Sequence, residues 1–261
     1  MPATPSDLII DIHAHPGYSQ SLEGLRGECQ ALLRAAAHHR VDTICLNSLA
    51  DWTESPDPDR VREGNDAVLA LVAEHPDRLL GFCYVNPCYP QQALEEIDRG
   101  LAAGMVGIKL WVACKASDAR VDPIARRAAE LGVPILQHAW YKAQGQLANE
   151  STPADVAALA ARYPETQIVM AHLTGAGERG LADIVPYGNI SVDLSGSDPE
   201  AGLTELAVRT LGPRRVLFGT DAPIRSYGAS LGKVYGARLS PRDRRLVLGE
   251  NAARLLGRAR R

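Results

Sequence analysis

Eight short apolar runs rich in β-branched residues recur along the chain, and amphipathic stretches rich in alanine and leucine separate them. The runs cover residues 8–15, 41–48, 79–87, 105–112, 134–139, 167–175, 189–196 and 216–223. They are continuous rather than alternating apolar and polar, as suits strands buried on both faces of a parallel sheet. The intervening stretches, 22–39, 59–74, 90–103, 121–131, 152–163, 177–185 and 198–211, carry the spacing of one-sided helices, and 241–256 follows the eighth run. Two of them begin with clear start signals. Thr152-Pro153-Ala154-Asp155 and Ser240-Pro241-Arg242-Asp243 each offer a capping hydroxyl, a proline in the first turn and an early acid. Gly104 and Gly132 follow helix ends, where a left-handed residue is wanted.

Strands alternating with helices through 261 residues, with no long linker or shift of composition, predict one (β/α)8 TIM barrel, an α/β fold occupying 1–261 as a single domain. A doubly wound open sheet is the rival. It calls for a glycine-rich phosphate loop after the first strand, where this chain has His13-Ala14-His15-Pro16 instead.

Composition excludes several classes of partner. A formal charge of −3 with no basic run before Arg258, Arg260 and Arg261 argues against nucleic acid. No apolar stretch reaches the length of a membrane span. Residues 1–7 carry neither a basic region nor an apolar signal core, so a cytoplasmic location is expected. Five cysteines, none spaced C-x-x-C, fit a reduced protein in which Cys45 and Cys83 are core residues.

In a barrel of this kind the chemistry gathers where the strands end. The expected strand ends carry His13 and His15, then Asn47 and Ser48, Asn86, Lys109, His138, His172 and Asp221. Four of the seven histidines thus fall on one rim, whereas His38, His39 and His75 fall at helix ends or in loops. Buried imidazoles and a carboxylate converging on one rim are costly without a shared cation. Imidazole and carboxylate donors without thiolate suit a divalent metal, Zn first, with Mn, Fe, Co or Ni also compatible.

The first-strand H-x-H, the strand-end His138 and His172, the Gly219-Thr220-Asp221-Ala222-Pro223 segment and the closing 248–256 stretch together resemble the amidohydrolase superfamily. The similarity is strongest to its amidohydrolase-related branch of decarboxylases, lactonases and hydratases, and it runs from about residue 8 to residue 257. The resemblance implies that His13, His15, His138 and Asp221 ligate one metal ion and that His172 positions or activates water. It also implies that Asp221 transfers the proton. In members with two ions a fourth-strand lysine is carboxylated and bridges them, with His138 and His172 on the second ion. Lys109 stands at the matching place, and an unmodified ammonium there could instead bind a substrate carboxylate or pair with Asp221. A nuclease branch would place glutamate near the fourth strand.

Around the mouth, Trp111, Trp140 and Tyr141 are candidates for an aromatic substrate wall, and Arg225 for an anionic anchor. The segment from His138 to Thr152 is long enough to act as a lid. Cys114 and Lys115 lie near the mouth without a base close in sequence. These features predict a hydrolase in which water attacks a small carboxylated amide, ester or lactone, with catalytic roles for Asp221, His172 and Lys109. The alternative is a metal-dependent non-oxidative decarboxylase of a small aromatic or unsaturated acid. A non-catalytic barrel is the third reading. The partner expected is a small-molecule substrate, with a homo-oligomer possible.

Overall fold

The structure, a computed structural model, describes residues 7–50, 52–197 and 200–257. The arginines at 258, 260 and 261, residues 1–6 and the first two residues of the expected 198–211 helix lie outside them. Eight parallel strands run in sequential order around one sheet. They are β1 (Ile10–Ala14), β2 (Thr43–Asn47), β3 (Leu79–Tyr84), β4 (Gly107–Leu110), β5 (Ile135–His138), β6 (Ile168–Ala171), β7 (Ile190–Asp193) and β8 (Val216–Leu217). The barrel expectation holds. No helix among the described residues is long and apolar enough to cross a membrane.

The seam between the last strand and the first is closed by individual hydrogen bonds rather than a regular ladder. Ile12 N donates to Phe218 O at 3.1 Å, Asp221 N to His13 O at 2.7 Å and His15 N to Ala222 O at 2.7 Å. β8 is therefore far shorter than the 216–223 run suggests. Phe218 N turns to Val247 O, and Asp221 adopts a left-handed φ of 64°, which ends strand geometry.

Helices α1 (Leu22–His38), α2 (Pro58–Glu74), α3 (Pro90–Ala102), α4 (Asp122–Leu131) and α5 (Pro153–Arg162) match the expected stretches to within a residue or so. Thr152 and Asp155 form the reciprocal cap that their spacing suggests. Later elements depart more. α6 (Leu173–Ile184) starts directly after His172 and is broken at Gly177, whose φ of 62° and ψ of −164° are not helical. α7 is Leu203–Leu211. α8 (Tyr227–Tyr235) was not expected, because Gly228 and Gly232 weaken its helical signature; Ser226 caps it by accepting from Ala229 N. The final stretch is three pieces, α9 (Pro241–Arg245), a π-helical turn at Leu246–Glu250 and α10 (Asn251–Leu255).

Two apolar layers result. Ile10, Ile12, Leu80, Phe82, Leu136 and Val169 fill the barrel interior, joined by Ala252 and Ala253 of α10. A larger shell lies between the strands and the helices. Asn251 explains part of the closing motif, since its amide donates to Pro213 O at 2.7 Å and Val216 O at 2.9 Å and so fixes α10 to β8.

One buried polar knot joins α2, α3 and β3. Glu96, 4% exposed, accepts from Asn65 Nδ2 at 2.9 Å and from Arg99 Nη2 at 2.6 Å, while Asn65 exchanges two 2.9 Å bonds with the Tyr84 backbone. Burial works against ionisation of Glu96, but the bonds from Arg99 and Asn65 outweigh it and hold its pKa below the ordinary 4.5. Its stabilising share is therefore fully present above pH 4.5 and fades as pH falls through the depressed value. Glu96→Gln is expected to cost about 1–3 kcal/mol at pH 7. In denaturant titrations the gap between the two proteins should narrow as pH is lowered towards 4.

Candidate metal centre

β1 brings two imidazoles to the mouth. Its register against β2 slips between Asp11 and Ala14, so that Ile12 packs inside the barrel while His13 still reaches the rim. His13 and His15 are 0% and 2% exposed, and Asp221 meets them from beyond β8. Asp221 Oδ1 lies 3.1 Å from His15 Nε2 and 3.5 Å from His13 Nε2. One donor atom from each of these three residues falls within 4.8 Å of the others, a spacing able to hold a metal ion. His13, His172 and Asp193 form a second such group.

Electrostatics fits this use. Burial, with Lys109 nearby, pushes the His13 pKa well below 6.5; burial, with His138 and His13 nearby, does the same for His172. Neutral imidazole is the ligating form. For Asp221, burial opposes ionisation, but the His15 hydrogen bond and the fields of His13, His15 and Lys109 outweigh it and hold the pKa below the usual value. Neutral nitrogens beside an ionised carboxylate are the donor chemistry a divalent cation selects.

Lys109 projects inward from β4 and is 1% exposed; its Nζ lies 3.0 Å from His13 Nε2. Burial lowers its pKa to about 8, against the opposing fields of Asp221 and Asp193. The pairing with Asp221 offered as one possibility is thus an electrostatic one, while the direct contact is to His13.

His138 lines the same cavity with both ring nitrogens engaged. Nδ1 lies 3.0 Å from His172 Nε2, and Nε2 lies 2.7 Å from Glu150 Oε1. A ring nitrogen of His138 must change partner before it can join His13, His15 and Asp221 on one ion. Glu150, 1% exposed, also pairs with Lys142 Nζ at 2.8 Å. Burial raises its pKa, but the bonds to His138 and Lys142 outweigh that and bring it to about 2. Sequence reasoning passed over Glu150, although it is the only acid between His138 and Thr152. It also passed over Asp193 and Ser195 at the end of β7, both 0% exposed. Burial pushes the Asp193 pKa up to about 6, with the Ser195 hydrogen bond opposing. The signal was an acid inside an otherwise apolar run.

A cavity of about 320 Å³ opens over these groups. Trp52, Trp111 and Trp140 line it, with Lys142 and Arg225 among its charged residues. Arg225 donates to Gly196 O at 3.1 Å. Tyr141, expected on this wall, is not among the lining residues. Its hydroxyl bonds Asp183 of α6, and Arg179 lies 4.2 Å from its ring centre. The two ends of the 139–151 segment are pinned. Trp140 N bonds Ser151 O at 2.9 Å, Tyr141 N bonds Gly175 O at 3.0 Å, and Ser151 Oγ accepts from Ala116 N at 2.9 Å.

Trp140 is set by Gly175. Its ring stands 4.9 Å from that of His172, and a Cβ on Gly175 would come within 2.5 Å of the indole. Gly175→Ala is expected to displace Trp140 at a cost of about 1–3 kcal/mol. A shift in tryptophan emission together with a lower unfolding temperature would report it; an unchanged spectrum would contradict the packing.

Elsewhere the expected residues have structural roles. Asn47 O faces His15 Nδ1 at 3.0 Å, and Asn47 Nδ2 donates to Ala14 O at 3.0 Å. Ser48 Oγ accepts from Ala50 N, and Asn86 Nδ2 donates to Pro56 O at 2.7 Å. His38 ends α1, while His39 and His75 follow α1 and α2; none lines the cavity. Burial raises the Cys114 thiol to about 12, which leaves it a poor nucleophile.

A family model described as Amidohydrolase matches residues 10–258. No curated protein sequence matches the chain. Among solved structures, 5-carboxyvanillate decarboxylase from Sphingomonas paucimobilis is similar with a TM-score of 0.75 at 17% identity, over 97% of this chain and 99% of that one. For 2,6-dihydroxybenzoate decarboxylase from Rhizobium the TM-score is 0.75 at 17% identity, over 97% of this chain and 99% of that one. A dihydroxybenzoic acid decarboxylase from Polaromonas sp. JS666, solved with bound manganese and the inhibitor 2-nitroresorcinol, gives a TM-score of 0.73 at 18% identity, over 96% and 97%. At these identities the likeness is one of fold.

Proposed function

The chain belongs to the amidohydrolase family, and from that premise we propose that it is a metal-dependent, non-oxidative decarboxylase of a small aromatic carboxylic acid. One observation carries the proposal. The chain has three tryptophans, and all three line the same cavity above the histidine and aspartate cluster. Aromatic residues make up only 5% of the sequence, so this concentration gives the cavity flat apolar walls suited to an aromatic ring. Arg225 adds positive charge that favours an anionic substrate, whereas the charge of Lys142 is offset by its 2.8 Å pair with Glu150.

His13, His15, His138 and Asp221 would hold a divalent ion, which when bound supplies a chelating site for the substrate carboxylate and an adjacent oxygen. Nitrogen and carboxylate donors suit Mn or Zn, and manganese is what the Polaromonas decarboxylase holds. In the reaction the bond from the ring carbon to the carboxylate breaks, its electron pair stays on the carbon, carbon dioxide leaves and a proton takes its place. Asp221, at the cavity floor beside His13 and His15, is placed to hold that proton.

Hydrolysis, the first expectation from the sequence, is less well supported. The similar solved structures named above are decarboxylases, and His172, expected to position or activate water, has both ring nitrogens engaged, Nδ1 by Ser195 Oγ at 2.8 Å and Nε2 by His138 at 3.0 Å. Incubating metal-loaded protein with hydroxybenzoic acids in D₂O tests the choice. Carbon dioxide equimolar with product, and deuterium at the vacated carbon, are expected. Turnover of amides, esters or lactones without carbon dioxide would overturn the proposal in favour of hydrolysis.

A further inference from the structure

Asp193 divides its two oxygens between separate tasks. Oδ2 lies 2.9 Å from His13 Nδ1, while Oδ1 accepts the Ser195 amide at 3.0 Å and the Ser195 hydroxyl as well. Ser195 Oγ stands 2.8 Å from His172 Nδ1 and, at a longer 3.3 Å, from His13 Nδ1, whose nearer partner is Asp193 Oδ2. The arrangement links residues 180 positions apart, β1 to β7, and neither Asp193 nor Ser195 lines the cavity.

The direction of each bond follows from donor counting. An ionised carboxylate only accepts, so the His13 proton lies on Nδ1 and its Nε2 lone pair faces Lys109 Nζ, at 3.0 Å, and Asp221. A serine hydroxyl has a single proton. Given to Asp193, that proton leaves Ser195 Oγ to accept from His172 Nδ1–H, and His172 Nε2 is then free of a proton in the metal-loaded protein, where His138 would keep its Nε2–H on Glu150 and turn its Nδ1 from His172 to the ion. We infer that Asp193 is the positioning residue of the metal centre, setting ring orientation and tautomer of His13 directly and of His172 through Ser195. The inference rests on the metal-centre reading above. Its rival is Asp193 as a ligand itself, since His13, His172 and Asp193 also offer atoms within 4.8 Å of one another; an ion there would displace the His13 Nδ1 proton.

Histidine nitrogen spectra separate these cases, because protonated, lone-pair and metal-bound ring nitrogens resonate apart. In ¹⁵N-histidine-labelled protein loaded with Zn²⁺ as a diamagnetic probe, His13 and His172 should both carry hydrogen on Nδ1, with His13 Nε2 bound to the ion. Asp193→Asn should lose the His13 Nδ1–H signal and weaken Zn²⁺ affinity about 10–100-fold. Ser195→Ala should alter only the His172 tautomer, and Ser195→Thr should restore it. Zn²⁺ on His13 Nδ1, hydrogen on Nε2 of either ring, or wild-type affinity in Asp193→Asn would each overturn the inference. The unsubstituted protein decides the tautomers even if a variant fails to fold. Should that protein take up no Zn²⁺, the metal-centre reading falls, and the His13 tautomer in the metal-free protein still decides the role of Asp193.

Discussion

His13→Ala is expected to abolish stoichiometric metal binding and to lower turnover by about 10³-fold. Among the described residues His13 alone belongs to both groups able to hold an ion, so removing it dismantles either arrangement. Its ring also touches Lys109 Nζ at 3.0 Å and Asp193 Oδ2 at 2.9 Å, which leaves a buried amine and a buried carboxylate without their shared partner. A metal ion supplies several kcal/mol of charge stabilisation in the transition state, and about 4 kcal/mol corresponds to the 10³-fold loss. Metal content after dialysis and single-substrate turnover measure the effect. His38→Ala, at the exposed end of α1, is the control and should change neither. One equivalent of metal per wild-type chain is expected; two equivalents would accompany carboxylation of Lys109. Full occupancy and activity in His13→Ala would remove the centre from the mechanism.

Asp11→Ala should give the largest loss of stability, on the order of 3 kcal/mol, which is roughly 5–10 °C in Tm. Asp11 is 0% exposed and ties the first strand to the last. Its carboxyl group accepts Thr220 N at 3.0 Å, Thr220 Oγ1 at 2.6 Å and His13 N at 3.1 Å. Alanine takes this acceptor from His13 N and the Thr220 hydroxyl and leaves Thr220 N only its longer 3.3 Å bond to His13 O, at the seam that closes the barrel. Burial raises the Asp11 pKa to about 7 despite those hydrogen bonds, so its charge is itself costly there. Asp11→Asn should therefore be milder than alanine, because the amide oxygen keeps an acceptor for the backbone donors and the Thr220 hydroxyl can rotate to accept. Thermal unfolding followed by circular dichroism ranks the three proteins, and equal losses for Asn and Ala would contradict this account.

The barrel was legible because its signal is local and repeated. Each buried strand needs only a short β-branched run, and each helix only a one-sided stripe, so α1 to α5 fall where the pattern places them. The pattern failed where local propensity met tertiary demands. α8 is helical despite Gly228 and Gly232, and β8 stops at Leu217 because Phe218 is claimed by Val247 O. The site divides in the same way. Histidines and aspartates at strand ends can be read from strand register, but Glu150 comes from a loop and could not be placed by period. Tyr141 shows the converse. Its position next to Trp140 suggested the cavity, yet Asp183 and Arg179 hold it on α6.

By itself the sequence determined the eightfold alternation and the single rim of His13, His15, His138, His172 and Asp221. It does so because side-chain period and the one-way course of parallel strands bring those ends to the same side. Only the tertiary structure decided how each ring is held: His13 by Asp193, His172 by Ser195 and His138 by Glu150. Those partners are chosen by closure of the barrel and by the requirement that buried polar groups find a hydrogen bond. No local pattern encodes a 2.9 Å contact between residues 180 positions apart.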